Sequence, residues 1–189
     1  MAKKTFRPKP LLFYVALILF FTSCLESDNI KPESSGQSGD VLLVLDESVY
    51  NSTIVDSFVL MMNTEIEGLP QFESAFDLVI IKEKDFSHLF QMHRNIITVH
   101  VDPELSETEL AIKKDIWSKP QIVARMRAKD TTSLKKIVMS YTNPLIETFN
   151  NAELDRIVKN YGTIKQNEIN NAMKEKFGFT ASVPKTFFH

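Results

Sequence analysis

The chain has only one cysteine, Cys24, among its 189 residues. A single thiol excludes an intramolecular disulfide and a zinc site built from several cysteines. Glycine is also scarce, and the five glycines form none of the glycine-rich loops that bind phosphate groups. The common kinds of nucleotide-dependent chemistry are therefore not expected.

Long apolar runs are missing as well. The longest, Leu11–Phe21, has eleven residues, whereas a helix that spans a bilayer needs about 20. Four cations precede this run: Lys3, Lys4, Arg7 and Lys9. Small Thr22 and Ser23 then separate it from Cys24. A basic start, an apolar centre and a small-residue exit predict a secretory signal peptide over residues 1–23.

The position of Cys24 resembles the lipobox of bacterial lipoproteins, in which the cysteine is acylated and becomes the first residue of the mature chain. We therefore predict lipidation at Cys24, and a lipid anchor with a flexible tether over residues 24–39, which are polar and contain proline and glycine. The membrane is then a partner through this anchor. The expected location is the cell envelope, at the outer rather than the inner membrane, facing the periplasm or the cell surface.

The chain also lacks an excess of basic over acidic residues once the predicted signal peptide is removed. Cleavage takes away four of the 22 basic residues and none of the 24 acidic ones, which leaves 18 against 24. An acidic protein is a poor candidate for binding nucleic acid, so no such partner is predicted. The remaining 166 residues are enough for one ordinary domain with its own core.

Periodicity predicts a single α+β domain over residues 40–189. Four segments have the apolar or alternating pattern of strands: Val41–Asp46, Phe76–Ile81, Asn95–Val101 and Gln121–Ala128. Helical patterns cover residues 54–66, 85–92, 130–141 and 144–158, and a last helix ends at Phe177–Gly178. Residues 106–116 fit either a capped helix or a strand, and we favour the strand. A further strand is possible at 179–183.

This order of elements predicts a two-layer sandwich, with a mostly antiparallel sheet and helices packed on one face. We expect Asn143–Pro144 to end one helix and start the next. The second of these helices should then bury a stripe of six apolar residues: Leu145, Ile146, Phe149, Leu154, Ile157 and Val158.

Three short stretches, Gly68–Gln71, His93–Ile96 and Ile116–Gln121, occur in an order and spacing that resembles a family of Bacteroidetes cell-envelope lipoproteins. That family is known only as a domain of unknown function, so the resemblance implies no activity, cofactor or catalytic residue. Its members continue well beyond the point that corresponds to Pro184. The resemblance therefore implies that this chain holds the N-terminal half and is truncated at its C-terminus.

Three histidines, His88, His93 and His100, are the candidates for acid–base chemistry or metal binding. Their spacing does not favour a shared metal, and a surface or packing role is sufficient for each, so no metal site is predicted. His93, Arg94 and Asn95 lie where a short helix leads into a strand. They are either a ligand site for an anion or a structural junction that satisfies backbone groups. We favour the junction.

Two functions follow from these observations. The first is a lipid-anchored binding or structural module of the envelope, without a cofactor and with an unknown protein or glycan partner. The alternative is an envelope hydrolase or carbohydrate-processing enzyme that combines His93 with Asp46 or Asp77, since α/β enzymes often place a carboxylate at a strand end such as Asp46. Trp117 suits stacking on a ligand, but its size favours burial against the helical layer.

Overall fold

The fold is described from a computed structural model that places residues 31–66, 69–162 and 167–180. Within these residues the strands are β1 (Asp40–Leu45), β2 (Asp77–Lys82), β3 (Asn95–Val101), β4 (Glu109–Lys114) and β5 (Ile122–Ala128). The helices are α1 (Ile54–Met62), α2 (His88–Gln91), α3 (Thr131–Gly162) and α4 (Asn167–Phe177), with a 3₁₀ turn at Glu83–Asp85. The predicted signal peptide, Cys24 and residues 181–183 lie outside the described residues.

The five strands form one mixed sheet in the order β2-β1-β3-β5-β4. Strands β2, β1, β3 and β5 run parallel to one another, and β4, at the edge beside β5, is the one antiparallel strand of this described sheet. The prediction of a mostly antiparallel sheet is therefore wrong. The prediction of an α+β fold with strand β4 inside residues 106–116 is confirmed.

The parallel arrangement follows from the two connections that contain helices. Residues 46–76, with α1, and residues 83–94, with the 3₁₀ turn and α2, each return the chain to the edge where the preceding strand began. Parallel strands need such crossovers. The sequences of parallel strands are nearly continuous apolar runs, because both faces of such strands are covered. Strand β1 fits this rule, since it is buried from Val41 to Leu45.

The long helices cover one face of the sheet, as predicted. Side chains of α1, such as Phe58 and Met62, and of α3, such as Phe149, share the main core with Leu43 of β1 and Ile97 of β3. The other face, which we call the open face, has a smaller core around Leu42, Val44, Ile96 and Val123. Phe86, Phe90 and Trp117 pack on this smaller core. Trp117 therefore contacts the open face and not the helical layer, contrary to expectation.

Helix α3 runs without interruption through Pro144, so the predicted break at Asn143–Pro144 is wrong. Proline lacks the N–H that a helix interior requires. Two buried contacts outweigh that loss, since Val138 before it and Leu145 after it both belong to the main core. Tertiary packing therefore decides the continuity of α3 against the local propensity.

The predicted apolar stripe of α3 is buried at Leu145 and Phe149, but from residue 153 onward the polarity of the helix is the reverse of the prediction. Leu154 is 57% exposed and Val158 is 68% exposed, whereas Glu153 and Arg156 are buried. Glu153 and Arg156 face the sheet because their side chains bond to the side chain of Asn95 at the start of β3. No helix among the described residues is both long and apolar enough to cross a membrane.

Candidate functional site

Residues His93, Arg94 and Asn95 lie at the edge of the sheet where the parallel strands begin. Asn95 is the first residue of β3 and is fully buried. Its side-chain amide donates to the carbonyl of Asp40 over 3.1 Å and to Glu153 of α3 over 2.8 Å. Its Oδ1 accepts a hydrogen bond from Arg156 over 3.0 Å. Asn95 therefore joins β1, β3 and α3 at one point.

Glu153 is the only carboxylate bonded to Arg94 and Arg156 within the described residues. Its Oε2 lies 2.9 Å from Arg94 Nη1, and its Oε1 lies 2.6 Å from Arg156 Nη1. Burial lowers the pKa of the Arg156 guanidinium, the charge of Glu153 opposes this, and the charge of Arg94 adds to it. The second Arg156 nitrogen donates to the carbonyl of Arg94 over 3.0 Å. The guanidinium thus also binds backbone.

Gln121 completes this arrangement, which we call the amino-edge network (Arg94, Asn95, Gln121, Glu153 and Arg156). Its amide nitrogen donates to the carbonyls of Gln91 and His93 over 2.6 and 2.7 Å. Its amide oxygen accepts a hydrogen bond from the backbone N–H of Trp117 over 3.0 Å. The side chain is almost fully buried and bonded at both ends, so it fixes the loop before β5 against the turn before β3.

His93 lies beside the network and packs against the segment that precedes β1. Its Nδ1 lies 3.2 Å from the Asn95 carbonyl oxygen, and its Nε2 lies 3.9 Å from a carboxylate oxygen of Asp40. Gly36 approaches so closely that a Cβ there would lie 2.7 Å from Nε2. Burial lowers the pKa of His93, while the Asn95 carbonyl and the Asp40 charge oppose that effect.

The contacts of the amino-edge network are internal to the chain. Only Nε of Arg94 and Nε of Arg156 are buried without a partner there, and every other contact joins a strand, a loop or α3. The part of the predicted tether that is described belongs to the same assembly, because Ser35 exchanges backbone hydrogen bonds of 2.8 and 2.9 Å with Met92 and Arg94. The geometry favours a structural junction over a ligand site.

The opposite edge of the sheet brings together three titratable side chains. Asp46 directly follows β1, His100 lies near the end of β3, and Glu83 directly follows β2. His100 Nδ1 lies 3.1 Å from Asp46 Oδ2 and 3.8 Å from Glu83 Oε2. We call these residues the carboxyl-edge triad. Parallel strands place their carboxyl ends at one edge, which is why three distant segments meet here.

Asp46 is held in place by the turn that follows it. Its Oδ1 accepts the Ser48 N–H over 2.9 Å, which leaves Oδ2 facing His100. Burial alone would raise the pKa of Asp46, but the hydrogen bonds from Ser48 and the charge of His100 hold it below its ordinary value. Asp46 is therefore a carboxylate with one oxygen committed to the backbone.

A depression of about 400 Å³ on the open face adjoins the triad. Its lining residues come from three strands and from the loops that cover this face: Val44, Glu83, Phe86, Thr98, Val99, His100, Trp117, Arg125 and Arg127. In-register pairing places Val44, Thr98 and Arg125 in one row across β1, β3 and β5. His100 and Arg127 form the next row.

The polar groups of this open-face depression are not all satisfied. Arg127 lies 3.4 Å from both Asp102 and Glu109. Arg125 is exposed, and no acidic partner for it lies among the described residues. Thr98 Oγ1 is buried and has no hydrogen-bond partner. Trp117 forms the wall with Phe86, in an edge-to-face contact with a centroid distance of 5.4 Å.

The remaining predicted residues do not form a common site with His93. Asp46 lies at the other end of the strands, and Asp77, which is exposed at the start of β2, is separated from β3 by β1. His88 is exposed on α2. Sequence reasoning missed Glu83 and Arg125, because only the parallel order places the ends of β1, β2 and β3 together.

The profile of a family described as a domain of unknown function (DUF8532) matches residues 34–162. The chain belongs to this family. The DUF8532 match contains all five strands and ends with the last residue of α3. It confirms the predicted membership of a family of unknown function, while the lipoprotein character and the Bacteroidetes origin stay proposals. No curated protein and no solved structure matches this chain.

Two of the three stretches behind the sequence resemblance meet in the DUF8532 fold. His93–Ile96 and Ile116–Gln121 both contribute to the amino-edge network or its supporting loop. Leu69–Gln71, the described part of the third stretch, lies in the connection between α1 and β2 and is exposed. The stretches that carried the resemblance thus fall mainly on residues that hold the sheet to α3.

Proposed function

We propose that this DUF8532 protein is a lipid-anchored binding module of the bacterial cell envelope, attached to the outer membrane through acylated Cys24. The basic, apolar and small-residue pattern before Cys24 supports the anchor. More than one acyl chain is expected, because a single chain gives only marginal membrane binding. The open-face depression is the proposed ligand site.

The observation that carries this ligand site is the unpaired Arg125 in the depression. A guanidinium binds a carboxylate through two parallel hydrogen bonds, and the Arg125 group forms no ion pair within 4.0 Å among the described residues, although Glu83 lines the same depression. Thr98 Oγ1 lacks a partner in the same depression. Trp117 adds an aromatic surface suited to a sugar ring. We therefore propose a carboxylate-bearing saccharide as the ligand.

We favour a binding role over catalysis because of what surrounds the one Asp–His pair that the described residues place at this edge. An imidazole oriented by a carboxylate is the base of many hydrolases, and the 3.1 Å contact between Asp46 and His100 is the observation that supports the alternative. Such a base acts on a nucleophile within hydrogen-bond reach. Within the described residues, no serine, threonine or tyrosine hydroxyl is bonded to His100, so the pair lacks a side-chain nucleophile and a hydrolase here would have to activate water.

A titration of the full-length protein in detergent micelles with digalacturonate tests the binding proposal. Cellobiose serves as the uncharged probe, and the buffer contains a chelator. We expect digalacturonate alone to bind, and Arg125→Gln to weaken it at least tenfold. Lys136→Gln removes an equal charge from the exposed side of α3 and should bind like the parent. Equal binding of both saccharides, or an unaffected Arg125→Gln variant, would contradict the proposed site.

Release of reducing ends from digalacturonate decides between binding and hydrolysis. The binding module leaves the disaccharide intact during prolonged incubation. Cleavage that is lost in His100→Gln and kept in His88→Gln would establish the hydrolase instead.

A further inference from the structure

We propose that Asp46, Glu83 and His100 bind a divalent cation of the zinc or manganese class. The inference concerns only these three side chains, so it depends neither on the lipid anchor nor on the saccharide proposed above. Carboxylate oxygen and imidazole nitrogen are common ligands of such ions. One imidazole with two carboxylates is a donor set that supplies three positions and leaves the others for water or a ligand.

The spacing of the three donor atoms suits one ion. Bonds of about 2.0 to 2.1 Å in a tetrahedral site place neighbouring ligand atoms roughly 3.3 Å apart. Asp46 Oδ2 and His100 Nδ1 are 3.1 Å apart, and His100 Nδ1 and Glu83 Oε2 are 3.8 Å apart. All three atoms lie within 4.8 Å of one another. A small rotation of the exposed Glu83 side chain closes the triangle.

The charges also favour a cation. Two carboxylates share a single imidazole here. Lys82, which precedes Glu83, is paired with Glu47 over 2.8 Å, and Arg127, the register partner of His100, lies 3.4 Å from Asp102 and from Glu109. Glu83 therefore has no lysine or arginine partner among the described residues. A metal ion requires the unprotonated imidazole as its ligand, and the two carboxylates then supply the two negative charges that one divalent ion neutralises.

The position in the fold is the third argument. From β1 the chain proceeds to β2 on one side, and β3 lies on the other side of β1. The order thus reverses between β1 and β3, and ligands of open α/β sheets bind beyond the carboxyl ends of the strands at this point. Asp46 and His100 stand on the two strands that flank it.

Two neighbouring groups support an ion at this point. The Ser48 N–H fixes Asp46 through Oδ1, and hydrogen bonds of this kind orient metal ligands. Thr98 is two residues before His100 on the same face of β3, lines the same depression and has a buried Oγ1 without a partner. A water molecule or another oxygen ligand that completes the coordination of the ion is a suitable hydrogen-bond partner for the Thr98 hydroxyl.

Calorimetric titration of the untagged full-length protein in detergent micelles, after treatment with a chelator, tests the site with Zn²⁺ and Mn²⁺ separately. We expect one ion to bind per chain and the melting temperature to rise with ion concentration, as linkage requires. His100→Gln and Asp46→Asn should each weaken binding at least tenfold. His88→Gln, which removes an exposed histidine, is the matched control and should bind like the parent.

Glu83→Gln is a second test of the site in case Asp46→Asn impairs folding. The Glu83 side chain is 60% exposed, so we expect this exchange to leave the melting temperature of the metal-free protein unchanged. It should lower affinity and remove the rise in melting temperature. Absence of binding by both ions at millimolar concentration would overturn the inference, as would parental affinity in His100→Gln. Saccharide binding is measured with chelator present, so its failure and the failure of this site remain separate results.

Discussion

The guanidinium of Arg156 donates a hydrogen bond to Asn95 Oδ1 over 3.0 Å, which joins α3 to the start of β3 across 61 positions of sequence. This contact sits where the buried surface of α3 is charged rather than apolar. It makes the amino-edge network a polar attachment of the second half of α3 to the sheet, in addition to the apolar packing of Phe149 in the main core.

Replacing Asn95 by alanine tests this attachment. The exchange leaves donors and acceptors of Glu153 and Arg156 buried without their partner, and such a loss typically costs about 1 to 3 kcal/mol of the free energy of unfolding. Urea unfolding measures the difference. Asn150→Ala, at an exposed position of the same helix, should stay within about 0.5 kcal/mol of the parent. Equal effects of the two exchanges would contradict a structural role.

Glu153→Gln removes the carboxylate that Arg94 and Arg156 share. Breaking a buried ion pair by removing one partner typically costs about 3 to 5 kcal/mol, because the other charge stays buried. We expect a loss of that order in urea unfolding. Glu147→Gln removes an exposed carboxylate from the same helix and should change little. A loss in Glu153→Gln no larger than in Glu147→Gln would show that solvent compensates both arginines.

Stability should also fall below neutral pH because of His93. Burial lowers the pKa of its ring in the folded state, so between the folded pKa and the unfolded value of about 6.5 the unfolded chain binds more protons. The stabilisation is complete above that unfolded value and is lost as the pH falls below it. We expect His93→Gln to lose less stability than the parent between pH 7.5 and pH 5.5.

Exchange of an exposed histidine is the control for this pH effect. His88→Gln should retain the full pH dependence of the parent, since His88 is exposed. The same pH dependence in the parent and in His93→Gln would assign the effect to other groups.

The elements of the fold could largely be predicted from the sequence, but the way they pair could not. The segments predicted as strands over residues 41–46, 76–81, 95–101 and 121–128 each match an observed strand to within one residue, and β1 is the most continuously apolar because both of its faces are covered. Parallel pairing depends on the path of the connections, and the predicted helix over residues 85–92 does not by itself show whether that connection crosses over to a parallel strand or returns to an antiparallel one. Whether Asp46 and His100 meet depends on that path.

The amino-edge network was predictable only in part. The junction of His93, Arg94 and Asn95 was recognisable from three adjacent polar residues before an apolar strand. Its partners, Glu153 and Arg156, were not, since a helical stripe of apolar residues normally marks the buried side. In α3, Glu153 and Arg156 are buried instead, because they bond to the buried Asn95 of β3. The sequence of a helix alone does not show which groups of the sheet it packs against.

Lipidation at Cys24 is tested by labelling cells with an alkyne analogue of palmitate. The basic and apolar stretch before Cys24 predicts that the label is incorporated and that the protein fractionates with membranes. Cys24→Ala should lose the label and leave the membrane fraction after carbonate washing. Ser23→Ala keeps the thiol and a small residue before it and should behave like the parent. Unchanged labelling of Cys24→Ala would disprove the assignment.

The last prediction concerns the reversed polarity of α3. Val158 is 68% exposed, whereas Phe149 is fully buried in the main core against Phe76, with a centroid distance of 5.8 Å. Val158→Gln should therefore change the free energy of unfolding by no more than about 0.5 kcal/mol, while Phe149→Ala should cost about 3 to 5 kcal/mol through the cavity it leaves. Urea unfolding compares the two. A large loss in Val158→Gln would mean that the apolar stripe of α3 is buried after all, as the sequence pattern predicts, and that Glu153 and Arg156 face solvent.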